Sequence, residues 1–185
     1  MNQPHTFIGI PISNRDKIEY ETIQKGFHLP KYYKKIVNKE DFHVTLLFLG
    51  SWEPEKRVQL WKELESTLSK VQAFPITFSH LNIFGNQKTP RVFYISMEKQ
   101  DKLIQLQSSI QKEAELLGFP KSQRDYNPHM TLAKKWRNLA ENKPESWIFP
   151  SSITKREQLV DRICLYQIHP SQEPMYEKIS TIHLL

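Results

Sequence analysis

A chain of 185 residues is long enough for one domain, or for two small lobes sharing a core. Its 38% hydrophobic and 11% aromatic content excludes a disordered chain, and 26 Lys and Arg against 20 Asp and Glu leave a net charge of +6, which suits an anionic partner or a basic solubilising surface. The single cysteine, Cys164, excludes an internal disulfide or a cysteine metal cage, and no apolar run approaches the roughly 20 residues of a membrane helix. With no secretory signal at its start, a cytoplasmic protein without a membrane span is expected.

His5 to Ile12 reads as a first strand, because Phe7, Ile8, Ile10 and Ile12 favour extended backbone and Pro11 would stop a helix. Asn14 is the expected cap of a short helix from Arg15 to Lys25. Gly26 and Pro30 then lead into an extended Tyr32 to Val37. Phe42 to Leu49 is a strong strand ended by Gly50. Pro54 opens an amphipathic helix to about Lys70, with Trp61, Leu64, Leu68 and Val71 at spacings of three and four on its core face. Phe74 to Phe84 and Arg91 to Met97 form a hairpin around the loop from Gly85 to Pro90. Asp101 opens a second amphipathic helix whose core face carries Leu103, Leu106, Ile110, Ala114 and Leu117, closed by Gly118. His129 to Lys134 is a strand, followed by an irregular stretch holding Trp136, Trp147 and Pro150. The final strands are Val160 to Ile168 and Tyr176 to Leu185.

The order strand, connector, strand, strand occurs twice, which implies two similar lobes within a single bilobal domain spanning residues 1–185. One short pattern supports this: His43-Val44-Thr45-Leu46 and His129-Met130-Thr131-Leu132. Alternate strand residues share a face, so in each motif the His and Thr project together while the two apolar residues enter a core. If the lobes are related by an approximate twofold axis, the two pairs face each other and four polar groups converge on one small anion.

The plain alternative for a lone strand histidine is a hydrogen-bonded core or surface residue, and that reading is adopted for His5, His28, His80, His169 and His183. Paired imidazoles with paired hydroxyls, and no paired carboxylates, suit metal-free attack on a phosphodiester. One imidazole takes a proton from water, the other gives one to the departing oxygen, and the hydroxyls hold the non-bridging oxygens. Zinc is the rival use of two histidines. Asp41 shares a strand face with His43, but no carboxylate or cysteine accompanies His129, so no metal or other cofactor is expected.

The two motifs, in the contexts Phe42-His43-Val44-Thr45-Leu46-Leu47-Phe48-Leu49-Gly50 and Asn127-Pro128-His129-Met130-Thr131-Leu132-Ala133, resemble those of the two-histidine (2H) phosphoesterase superfamily. Within it the chain is most similar to the LigT-like RNA 2',3'-cyclic phosphodiesterases, historically named 2'-5' RNA ligases. The likeness runs nearly end to end, through Phe7-Ile8-Gly9-Ile10, Arg91-Val92-Phe93-Tyr94 and Leu165-Tyr166. It implies an α+β, bilobal LigT-like fold, with two pseudo-twofold-related antiparallel sheets forming a central cleft and helices outside. It also implies hydrolysis of RNA 2',3'-cyclic phosphate ends, or of nucleoside 2',3'-cyclic phosphates, to 2'-phosphates, with weak reverse 2'-5' ligation. By this resemblance His43 matches the proton donor, His129 the proton acceptor, and Thr45 and Thr131 the phosphate-binding threonines. Lys134 stands where the family commonly has Arg, and keeps the charge without the bidentate fork. The Ser that often follows the Leu-Tyr pair is replaced by Gln167.

Tyr126, Arg124 and Phe84 are candidate substrate contacts near the cleft rim, against packing or solvated-loop roles. Lys34, Lys35, Lys39, Lys56, Arg57 and Lys62 are read as solvated faces, and Trp61 as core. A monomer acting on RNA is expected. The alternatives are a 2H phosphoesterase for another diester, such as ADP-ribose cyclic phosphate or 2',5'-oligoadenylate, and an RNA-end-binding module without turnover.

Overall fold

The structure, a computed structural model, describes residues 3–185. Its elements follow the order β1 (Thr6–Pro11), α1 (Asn14–Gly26), α2 (Leu29–Tyr32), β2 (Tyr33–Ile36), a 3-10 turn (Lys39–Asp41), β3 (His43–Gly50), α3 (Pro54–Leu68), β4 (Phe74–Gly85), β5 (Pro90–Met97), α4 (Asp101–Leu116), β6 (His129–Trp136), β7 (Ser151–Val160), β8 (Arg162–Ile168) and β9 (Tyr176–His183). They build two antiparallel sheets, ordered β3-β1-β8-β9 and β2-β6-β5-β4-β7, so the α+β expectation holds. One apolar core joins them, with Ile8 and Val44 from the first sheet and Phe78, Ile95 and Met130 from the second. Helix α4 packs on β3, α3 on β9 and on α4, and α1 beside β6. No helix of the described residues is long and apolar enough to cross a membrane.

The period of two fixes which way the motif strands face. Val44 and Leu46 on β3, like Met130 and Leu132 on β6, are at most 2% exposed, while His43, Thr45, His129 and Thr131 are half-buried. Burying each apolar residue contributes about 1.5–3 kcal/mol and holds the opposite face toward the cleft, because a slip of one residue would turn imidazoles into the core. Helix α4 ends as read: Gly118, at φ 90°, takes the left-handed position, while Phe119 N–H donates to Ala114 O and Gly118 N–H to Glu115 O.

Several expectations are corrected. The cap of α1 is Ser13, whose Oγ accepts from Asp16 N–H, and Asn14 is already helical. The segment entering Tyr33 begins with one helical turn, α2, before β2. β6 continues to Trp136, and Trp136 and Trp147 are both core residues, each 7% exposed. The stretch ending at Val160 is the ten-residue strand β7, which lies at a sheet edge and pairs only with β4. Cys164 and Trp61 are buried, as expected.

The lobes are also composed differently from the implied succession. The strands that follow His43 in the chain, β4 and β5, join the sheet of His129, and of the strands that follow His129, β7 stays in its sheet while β8 and β9 join the sheet of His43. β6 is therefore paired directly with β5 from the first half of the chain, whereas β3 pairs with β1, whose other neighbour is β8 from the second half.

Candidate active site

His43 opens β3. Its Nδ1 is 2.7 Å from the carbonyl oxygen of Asp41. A carbonyl only accepts, so Nδ1 carries the hydrogen and Nε2 is the working nitrogen. Nε2 lies 3.0 Å from Thr45 Oγ1, whose hydroxyl donates to it when the ring is neutral. His129 repeats the arrangement on β6, with Nδ1 2.8 Å from the carbonyl oxygen of Asn127, again two residues upstream. Thr131 follows it on the same half-buried face.

Aromatic rings hold both imidazoles. Around His43 stand Phe7 at 4.5 Å, Tyr176 edge-on at 5.2 Å and Tyr166 at 6.1 Å between ring centres. Around His129 stand Phe84, edge-on at 4.9 Å, and Tyr94 at 5.2 Å, themselves stacked at 4.0 Å. Gly9 on β1 leaves room for the first ring: a Cβ there would meet Val44 O at 3.0 Å and His43 Cδ2 at 3.4 Å.

This packing sets the proton affinities. Burial pulls the His43 pKa down to about 4; the positive fields of Lys134 and His129 add to the fall, and the Asp41 carbonyl opposes it. Burial also lowers His129, against the opposing Asn127 hydrogen bond. Both rings are thus neutral near pH 7 in the empty site. Each has an Nε2 without a hydrogen, which for His43 accepts from Thr45 Oγ1, so a bound anion is what would bring a proton back.

The two motifs meet. β3 and β6 approach within 8 Å between Cα atoms, and Thr45 and His129 line one cleft of about 970 Å³ together with Phe48, Phe84, Arg91 and Tyr126. Tyr126 is mainly structural: its hydroxyl donates to Thr45 O at 2.9 Å, tying the approach to β6 onto β3. Arg124 is exposed on the cleft wall, and Phe84 is part of the His129 cage. Lys134 is half-buried on β6 and its charge reaches His43.

The six cations read as solvated faces separate into three groups. Lys39 and Lys56 pair with Glu21 and Glu53, and Arg57 donates to Thr6 Oγ1. Lys62 borders a groove beside α3, and Lys34 and Lys35 line a pocket with Lys134. Among the described residues no three His, Cys, Asp or Glu side chains gather to hold a metal ion. The Asp41 carboxylate, weighed as a zinc partner for His43, instead accepts from Met175 N–H at 2.8 Å and Tyr176 N–H at 3.0 Å.

Sequence reasoning missed this second use of Asp41 and both aromatic cages. One local signal existed: each motif is preceded two residues upstream by an Asx residue, Asp41 or Asn127, whose carbonyl fixes the ring. The cages had none, since Phe7, Tyr166 and Tyr176 come from three separate strands.

Thr45 and His129 share the cleft and the Thr45 hydroxyl reaches His43 Nε2, a set of groups able to hydrogen-bond an anion and to exchange protons. Comparison with known proteins shows the family and the fold. A family model described as the 2'-5' RNA ligase superfamily matches residues 14–171. Over 183 residues the chain is 32% identical to the RNA 2',3'-cyclic phosphodiesterase of Bacillus subtilis (strain 168), covering 98% of this chain and 97% of that protein. In structure it is similar to E. coli LigT complexed with 3'-AMP, at a TM-score of 0.81 and 20% identity over 98% of each chain. It is also similar to LigT complexed with phosphate, at a TM-score of 0.77 and 19% identity over 100% of this chain and 99% of that one. The fold is therefore LigT-like.

Proposed function

The chain belongs to the 2'-5' RNA ligase superfamily, and from that premise we propose that it is an RNA 2',3'-cyclic phosphodiesterase working by two-histidine acid-base catalysis. The carrying observation is the matched pair of imidazoles, each fixed at Nδ1 by a carbonyl two residues upstream, which leaves Nε2 as the nitrogen that exchanges protons, with Thr45 Oγ1 on His43 Nε2 and His129 lining the cleft. His129 Nε2 takes the proton of a water that attacks phosphorus. His43 Nε2–H gives its proton to the departing 3' oxygen, leaving a 2'-phosphomonoester. Thr45 and Thr131 hydroxyls donate to the non-bridging oxygens, where negative charge is held in the transition state.

The hydrogen bond between Thr45 Oγ1 and His43 Nε2 couples these roles. When His43 is protonated it can no longer accept from Thr45, and the freed hydroxyl donates to the phosphate instead. Lys134 supplies a positive charge near His43. With a 5' hydroxyl in place of water, the same steps join two ends: His129 takes the hydroxyl proton, the P–O5' bond forms, the P–O3' bond breaks with a proton from His43, and a 2'-5' linkage results, a weak ligation activity alongside hydrolysis. Both motifs come from one chain, which supports a monomer as the working unit. The buried free Cys164 suits a cytoplasmic setting.

The test is to incubate the protein with adenosine 2',3'-cyclic phosphate and with an RNA ending in a 2',3'-cyclic phosphate, with and without EDTA. Hydrolysis to the 2'-phosphate, unchanged by chelator, is the expected result. A 3'-phosphate product or loss of turnover in EDTA overturns the mechanism, and binding of the RNA end without turnover overturns the activity.

A further inference from the structure

Beside the cleft is a second pocket of about 380 Å³, lined by Lys34, Lys35, Lys134, Asp41, Glu173 and Tyr176 among others. It adjoins the reacting groups, because Tyr176 stands edge-on to His43 and Lys134 is on the strand of His129. Its charge arrangement is costly. Lys35 on β2 and Lys134 on β6 are direct partners in the antiparallel register, and like charges directly opposite destabilise a sheet. Among the described residues no carboxylate lies within 4.0 Å of Lys34, Lys35 or Lys134, whereas Lys17, Lys25, Lys39 and Lys56 each have one.

The two acids lining the pocket have other partners. Asp41 accepts from two backbone N–H groups, and Glu173 accepts from the Asn38 amide at 3.1 Å. Burial and the charges of Lys35 and Lys135 lower the Lys134 pKa, with Asp41 alone opposing them. What remains is a concave cluster of three cations facing two carboxylates that are already hydrogen-bonded to neutral groups, a net positive pocket next to the site proposed to cut a cyclic phosphate.

An RNA end differs from a nucleoside cyclic phosphate in carrying a second phosphate on the 5' oxygen of the same ribose. We propose that Lys34, Lys35 and Lys134 bind this 5'-side phosphate, so that the enzyme selects polynucleotide ends over mononucleosides. This rests on the functional reading above and adds to it a site for a second anion. A lysine contact to a phosphate oxygen is a charge-assisted hydrogen bond, and about 1.5–3 kcal/mol for such a contact corresponds to a preference of roughly 10- to 150-fold.

The test compares kcat/KM for adenosine 2',3'-cyclic phosphate, 5'-phosphoadenosine 2',3'-cyclic phosphate and the diadenosine dinucleotide ending in a 2',3'-cyclic phosphate. The wild-type protein is expected to favour both 5'-phosphate-bearing substrates by about tenfold or more at low salt, with the margin shrinking as salt rises. The double variant Lys34→Met, Lys35→Met is expected to lose that margin while turning over adenosine 2',3'-cyclic phosphate as the wild type does, which also shows that it is folded. Equal kcat/KM for all three substrates in the wild type, or an undiminished margin in the folded double variant, overturns the proposal. If the double variant does not turn over the mononucleoside, Lys34→Gln and Lys35→Gln singly take its place, and a full margin in both is refuting. Failure of the wild type on all three substrates would instead overturn the functional reading.

Discussion

The proton affinity of His43 makes a quantitative prediction about pH. A pKa near 4 leaves only ~0.1% of the ring protonated at pH 7 in the free enzyme, yet the proposed acid must carry a proton. A bound phosphodiester anion changes this. One negative charge at ~4 Å, at an effective dielectric constant of ~20, is worth ~4 kcal/mol, or ~3 pKa units, which brings His43 close to neutrality. The same charge raises His129, and mutual repulsion keeps the second proton off.

The sign follows directly. Both free-enzyme pKa values lie below the usual 6.5, so the kcat/KM bell, which reports the free enzyme, peaks below pH 6.5 and falls tenfold per pH unit above it. The kcat bell, which reports the complex, is displaced upward by ~2–3 units, and KM therefore rises with pH through neutrality. Initial rates on adenosine 2',3'-cyclic phosphate from pH 4 to 9 measure both curves. Superimposed bells, or a kcat/KM maximum above pH 7, would refute the reasoning.

Replacing His43 or His129 by Ala should lower kcat by ~10²–10⁴-fold each while RNA-end affinity is largely kept, with the double variant falling short of the product of the two effects. Thr45→Val and Thr131→Val should each cost ~10–1,000-fold in kcat, measured by single-turnover hydrolysis. Asp41→Ala removes the acceptor of two backbone N–H groups and releases Tyr176 from the His43 ring, so a loss of at least ~2 kcal/mol in urea denaturation is expected, together with a lower kcat. The Tyr33 hydroxyl is buried without a partner, so Tyr33→Phe should leave stability unchanged or raise it by up to ~1 kcal/mol, and a loss above that amount would reveal a contact the structure lacks.

What could be read along the chain follows from the range of the forces involved. The His-Thr pairs were legible because strand alternation is a local rule, and Val44, Leu46, Met130 and Leu132 obey it. The helices over Trp61 and over Leu103 to Ala114 were legible for the same reason. β7 escaped because an edge strand needs little apolar content: Ser151-Ser152-Ile153-Thr154-Lys155-Arg156 has one sheet neighbour and mostly faces water. The exchange of strands between halves was beyond reach, since pairing between strands distant in the chain leaves no periodic trace. So was the pairing of Lys35 with Lys134, which depends on the register of two strands distant in the chain.

That crossed connectivity has a bearing on how the molecule must be assembled. A stretch ending after β5 contains His43 but lacks β8, the second neighbour of β1, and a stretch starting at α4 contains His129 but lacks β5, its strand's partner. Neither segment can complete a sheet alone, so the reactive centre requires pairings between strands distant in the chain, the kind of long-range closure that slows folding.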